Sequence, residues 1–177
     1  MKTSYILFLS ILFIGCASTQ NKNGNLAQQK KLDSWLNQKN FEVISTAAKP
    51  TSNMNLNAAL LANNSSGNHV TLVDNPNYIK FKGDSIFVRL PYFGTRTGAG
   101  GYGTENSIAF DGLTSNYSAK YNAKKKAHII DFEFVTSKRE LYNLQLTLYG
   151  NLSTYLSLNS SNRTPISYTG YVKELKN

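Results

Sequence analysis

The strongest constraint in this sequence is a period of two. In "SIFVRLPY", Ile86, Val88, Leu90 and Tyr92 alternate with Phe87 and Arg89. In "IIDFEFV", Ile130, Phe132 and Phe134 alternate with Asp131 and Glu133, and in "NLQLTL", Leu144, Leu146 and Leu148 alternate with Gln145 and Thr147. Side chains of a β-strand point to opposite faces in turn, so each stretch predicts a strand with one buried and one solvated side.

Turn signals cut the chain from Val70 onward into short pieces: Lys82-Gly83-Asp84, Asp111-Gly112, Gly150-Asn151 and Ser160-Ser161-Asn162, with Lys124-Lys125-Lys126 reading as a solvated hairpin turn. Candidate strands run over 41–48, 70–73, 77–82, 85–92, 106–110, 115–122, 127–136, 141–149, 152–158 and 165–173, with one or two of these merged or absent. The connections are too short for crossover helices, so neighbouring strands are antiparallel. The predicted fold is mainly β: an antiparallel up-and-down meander of about eight strands that curls into a barrel, its interior wide enough for side chains or one small ligand. A two-layer β-sandwich is the alternative.

Ahead of the strands, "NLAQQKKLDSWLNQKN" (25–40) gathers Leu26, Leu32, Trp35 and Leu36 on one side of a short helix. Its stripe is too narrow to stand alone, so the helix is expected to pack on the sheet or cap an open end. Residues 49–69 have no clear period and read as a long loop with a turn of helix at Leu56 to Leu61.

The chain opens with Lys2 and an apolar run from Tyr5 to Ile14. That run is about half the roughly twenty residues a membrane-spanning helix needs, and it reads as a secretory signal. The one cysteine of the protein, Cys16, follows Phe13-Ile14-Gly15 directly and has no other cysteine to pair with. The pattern resembles a bacterial lipobox, in which cleavage precedes Cys16 and its thiol takes a diacylglycerol. Residues 1–15 are then the signal peptide, 16–24 the lipidated cysteine and tether, and 25–177 a single β domain with its N-terminal helix. More than one acyl chain makes the anchor stable. The tether "ASTQNKNGN" lacks an acidic cluster, which favours a periplasm-facing place on the outer membrane.

The net charge is +9, to which the leader's Lys2 contributes one. Such a balance is compatible with anionic partners, but the lysines are scattered and no nucleic acid is predicted. Gly98-Ala99-Gly100-Gly101-Tyr102-Gly103 spells the dinucleotide pattern G-x-G-x-x-G. The fingerprint requires a helix after the glycines. Here "TENSIAFDGLT" follows, with β character, so the stretch reads as a loop between antiparallel strands, a mobile lip with Arg96, Tyr102 and Glu105 as its polar contributors.

Catalytic and cofactor signatures are missing. His69 and His128 sit in no metal-ligand spacing, no serine lies in G-x-S-x-G, and no Gly-Lys-Ser or Gly-Lys-Thr occurs. Asp131 and Glu133 share one strand face, as glycosidase carboxylates do, but exposed acids with cross-strand lysine partners are the plainer reading. No enzyme activity, cofactor or metal is predicted.

The stretches Leu90-Pro91-Tyr92-Phe93-Gly94, Tyr102-Gly103, "SIAFDG" (107–112), "LNSSNRTPISYTGYV" (158–172) and the early "FEVISTAAKP" (41–50) together resemble the envelope lipoproteins grouped as domain of unknown function 4251, found in Bacteroidota. The resemblance covers most of the mature chain. It implies a lipidated, mainly antiparallel β domain of calycin- or lipocalin-like build, and no established activity. Tyr92, Arg163 and Tyr168 become the first residues to inspect, each with a structural reading beside it: core filler, turn residue bonding carbonyls, and strand packing.

Two functions follow as expectations. The first is a noncatalytic envelope lipoprotein binding a small apolar or amphipathic ligand, or a cell-wall fragment, in the mouth of the curled sheet, with Tyr92, Arg96, Tyr102, Arg163 and Tyr168 as candidate contacts. The second is a structural protein docking an envelope partner.

Overall fold

The computed structural model describes residues 22–51, 69–72, 77–96 and 107–176. They form one helix, α1 (Lys22–Gln38), and ten strands. The strands are β1 (Asn40–Pro50), β2 (Val70–Thr71), β3 (Tyr78–Lys82), β4 (Ser85–Pro91), β5 (Ser107–Leu113), β6 (Ser115–Asn122), β7 (Ala127–Val135), β8 (Leu141–Tyr149), β9 (Ser153–Ser160) and β10 (Arg163–Glu174). All strand pairings among the described residues are antiparallel, in the order β5-β4-β3-β1-β10-β9-β8-β7-β6, with β2 added to β1. This is the expected meander in one continuous curled sheet, not two layers.

Chain connectivity forces the curl. β5 and β6 are the two edges of the sheet, yet only Thr114 separates them, so the edges meet within about 7 Å there, two Cα steps of 3.8 Å. The two strands are halves of one bent strand, the first paired to β4 and the second to β7. The stagger is large. A row of partners runs Ala109, Arg89, Tyr78, Ile44, Tyr171, Ser153; the next residue, Thr154, continues it through Leu148 and His128 to Tyr121, far along the strand where it began. Such a stagger tilts the strands steeply and produces a barrel-like shape.

Period two therefore has one consequence throughout: Ile86, Val88, Leu90, Ile130, Phe132, Phe134, Leu144, Leu146 and Leu148 all turn inward and are buried. Aromatic rings fill the middle. Phe41 stacks on Phe81 at 4.5 Å between ring centres, Phe81 meets Phe132 edge-on at 5.3 Å, Phe110 stacks on Phe134 at 4.4 Å, and Phe134 on Tyr142 at 4.9 Å. These contacts join β1, β3, β5, β7 and β8 across the interior, each worth about 0.5–1.5 kcal/mol beyond its buried area.

Helix α1 lies across one end of the sheet. Leu32 is fully buried and Trp35 and Leu36 pack against the core, but Leu26, expected on the same stripe, is 57% exposed. Asp33 meets His128 at the start of β7 (2.9 Å), and Lys39 meets Asp84 in the β3–β4 turn (2.6 Å). Gly83, with φ of 60°, makes that turn. The turn expected at Asp111-Gly112 is absent, because β4 supplies ladder partners through Leu113 and the strand runs on. The expected helical turn at Leu56 to Leu61 lies outside the described residues.

Candidate functional site

Four of the five ligand-contact candidates can be placed, and the fold brings all four to the end opposite α1. The segment after β4 crosses this end: Thr164 donates its backbone N–H to the Thr95 carbonyl, and Arg96 forms a bridge with Arg163. Tyr92 is buried. Its hydroxyl lies 3.0 Å from the Thr95 carbonyl and 2.9 Å from both the carbonyl and Oγ1 of Thr164, while Thr164 Oγ1 accepts from Thr95 N–H at 3.0 Å. Tyr168, fully buried, donates its hydroxyl to the Pro91 carbonyl at 2.7 Å. Tyr102 and Glu105 lie outside the described residues, as does Cys16.

Arg163 is held by a buried carboxylate. Its side chain is 3% exposed, donates through Nε to Glu140 Oε1 at 2.9 Å, and lies over the Tyr92 ring at 4.9 Å. Glu140, equally buried, also accepts from Ser160 and is paired with Arg96 at 3.5 Å. Burial works against the ionised Glu140, but hydrogen bonds from Ser160, Arg163 and Tyr142 and the Arg163 charge outweigh it, and its carboxyl is held below the usual range. Burial pushes the hydroxyls of Tyr92, Tyr142 and Tyr168 above the usual tyrosine range, so all three stay protonated donors. The cluster is a closed lock between the β4 extension, the β7–β8 hairpin and the start of β10. Tyr92→Phe removes the hydroxyl that ties two segments together, and is expected to cost about 1–3 kcal/mol in urea unfolding.

An open cleft lies elsewhere. On the outer face of β6 to β9, a cleft of about 280 Å³ is lined by Asn116, Asp131, Glu133, Asn143, Gln145 and Asn159, with Phe132 and Leu144 beneath it. The ladders create it: Asp131 faces Gln145, Glu133 faces Asn143, and Asn143 faces Asn159. A register shift between Ser115 and Ser118 carries Asn116, at a φ of 52° that asparagine tolerates, to the cleft's rim. Gln145 Nε2 donates to Asp131 Oδ1 at 2.9 Å and Asn116 Nδ2 to Glu133 Oε2 at 2.6 Å. The partners expected for these acids were lysines; the structure gives them amides, since Lys124 to Lys126 sit in the hairpin beyond β6. Phe132 and Leu144 turn their side chains inward and are buried. The polar side chains of the walls are thus carboxylates and amides.

His128, Asp131 and Arg163 stand at three separate places: the α1 end, the outer cleft and the opposite buried cluster. Among the described residues, no three His, Cys, Asp or Glu side chains are grouped to hold a metal ion. No helix among them is long and apolar enough to cross a membrane.

The family model for Domain of unknown function (DUF4251) matches residues 24–172, from within α1 to β10. The chain belongs to the DUF4251 family. The DUF4251 chain is similar in fold to the crystal structure of a DUF4251 family protein from Bacteroides eggerthii DSM 20697, with a TM-score of 0.59 at 12% identity, over 86% of this chain and 91% of that one. No curated protein matches it. The DUF4251 match spans both the buried Glu140–Arg163 cluster and the outer cleft.

Proposed function

We propose that the protein is a noncatalytic cell-envelope lipoprotein, held through Cys16 on the periplasmic face of the outer membrane, that binds a hydroxyl-rich, cell-wall-derived fragment. The observation carrying this reading is the cleft over β6 to β9. Its amides both donate and accept and its carboxylates accept, which matches a ligand bearing many hydroxyl and amide groups. Its volume is just under the roughly 300–1,000 Å³ of drug-sized sites, room for a sugar-sized unit. A small apolar ligand inside the sheet receives less support. The stacked Phe41, Phe81, Phe110, Phe132 and Phe134 occupy that space.

Among the described residues every buried core side chain lies between Leu32 and Val172, so a chain starting at Ala17 keeps that core. Calorimetric titration of that chain with muramidase-released cell-wall fragments is expected to show saturable binding. Asn143→Ala with Gln145→Ala removes two hydrogen-bonding side chains, at about 1 kcal/mol each, and should weaken it roughly 30-fold with an unchanged unfolding temperature. Absence of binding to every fragment class sinks the reading. The docking alternative draws on β6, whose pairing among the described residues is to β7 alone and whose side chains are largely exposed. Capture of one protein neighbour at β6 by crosslinking in native membranes would favour it.

A further inference from the structure

We infer that the α1 end of the sheet is a membrane-facing surface that engages anionic lipid headgroups. The fold gathers lysines here that are scattered in sequence. The Asp33–His128 contact places the middle of α1 beside the first residues of β7, immediately after the hairpin tip. Lys124, Lys125 and Lys126 on that hairpin and Lys30 and Lys31 on the helix are all exposed. The carboxylates of this end are committed to other partners: Asp33 to His128, Asp84 to Lys39, and Glu42 to Lys80 and Lys173. Glu174 remains as an exposed acid, against five lysines that no described carboxylate pairs.

The same end is where the chain departs toward Cys16. Five residues lie between Cys16 and Lys22, the start of α1, a reach of at most about 20 Å. A headgroup layer attracts a lysine only within about a Debye length, roughly 8 Å at physiological ionic strength. A tether this short lets the α1 end come within that range while holding the opposite end, a domain's length further on, away from it. The orientation rests on anchoring at Cys16, but the attraction does not, so the chain from Ala17 tests it without the anchor.

The test is flotation of the Ala17 chain with phosphatidylglycerol-containing and pure phosphatidylcholine vesicles at low salt. Binding is expected to the anionic vesicles and to fall steeply with added salt. Lys124→Gln, Lys125→Gln and Lys126→Gln combined should weaken it about 100-fold, roughly fivefold per lysine. The control, Lys49→Gln, Lys138→Gln and Arg139→Gln at the opposite end, should change it less than about threefold. Equal binding to both vesicle types overturns the inference, as does an equal loss in the two triple variants. Circular dichroism and the unfolding temperature of each variant separate loss of binding from loss of fold. The mass of the mature full-length chain reports Cys16 lipidation independently.

Discussion

Glu140→Ala is expected to lower the unfolding free energy by about 3–5 kcal/mol, because it strands a buried guanidinium. Arg163 is 3% exposed in its side chain and has Glu140 as its ion-pair partner; without the carboxylate its charge stays desolvated. Glu140→Gln keeps the shape and some hydrogen bonding, so its cost should be smaller but still measurable in urea. The pH dependence follows from the direction of the shift. Because the folded state holds the Glu140 carboxyl below its usual range, the ion pair stabilises fully above the unfolded carboxylate range. That contribution is lost as pH falls through this range and below it. The gap between the wild-type and Glu140→Gln chains should therefore be widest near neutrality and narrow in acid. Identical urea midpoints for the two chains at neutral pH would show that the buried pair adds nothing.

Glu140 is legible in the sequence once the alternation of β8 is carried past its leucines. Leu144, Leu146 and Leu148 share a face with Tyr142 and Glu140 when the same period is carried back two steps. A carboxylate in register with a buried face requires a cation, and Arg163 stands two residues ahead of the last predicted strand. What pattern alone could not supply was the pairing, since Glu140 and Arg163 meet only because β8, β9 and β10 are consecutive neighbours in the sheet.

The outer cleft shows the same division. Alternation put Asp131 and Glu133 opposite the phenylalanines and Gln145 opposite the leucines, as the structure has them. Their meeting depends on the register of β7 against β8, and Asn116 joins only through a register shift that leaves no hydrophobic signature. Strand positions were largely legible because each is an independent run of period two. The shared β5–β6 strand was not, because Asp111-Gly112 carries a turn signal that the continuous ladder to β4 overrides.

Gly170→Ala is expected to be more damaging than its size suggests. Gly170 sits in β10 opposite Ser45 of β1, where the register shifts between Ser45 and Ala47 and brings the β1 backbone over it. An added Cβ would overlap the Ile44 carbonyl oxygen and lie 2.9 Å from both the Ile44 carbonyl carbon and the Ser45 Cα. All three are backbone atoms, so no side chain can swing aside; either β1 moves or the central β1–β10 ladder opens. Overpacking of this kind costs typically 1–3 kcal/mol, and a clash with backbone belongs at or above the top of that range. For a domain of this size about 3 kcal/mol corresponds to a fall of roughly 6–12 °C in unfolding temperature by calorimetry. Gly83→Ala is the informative contrast. Its Cβ would meet nothing within 4 Å, but the φ of 60° is unfavourable for alanine, and its cost should stay near 1–2 kcal/mol. If both variants lose the same amount, the close approach of β1 to β10 is not what specifies glycine at Gly170.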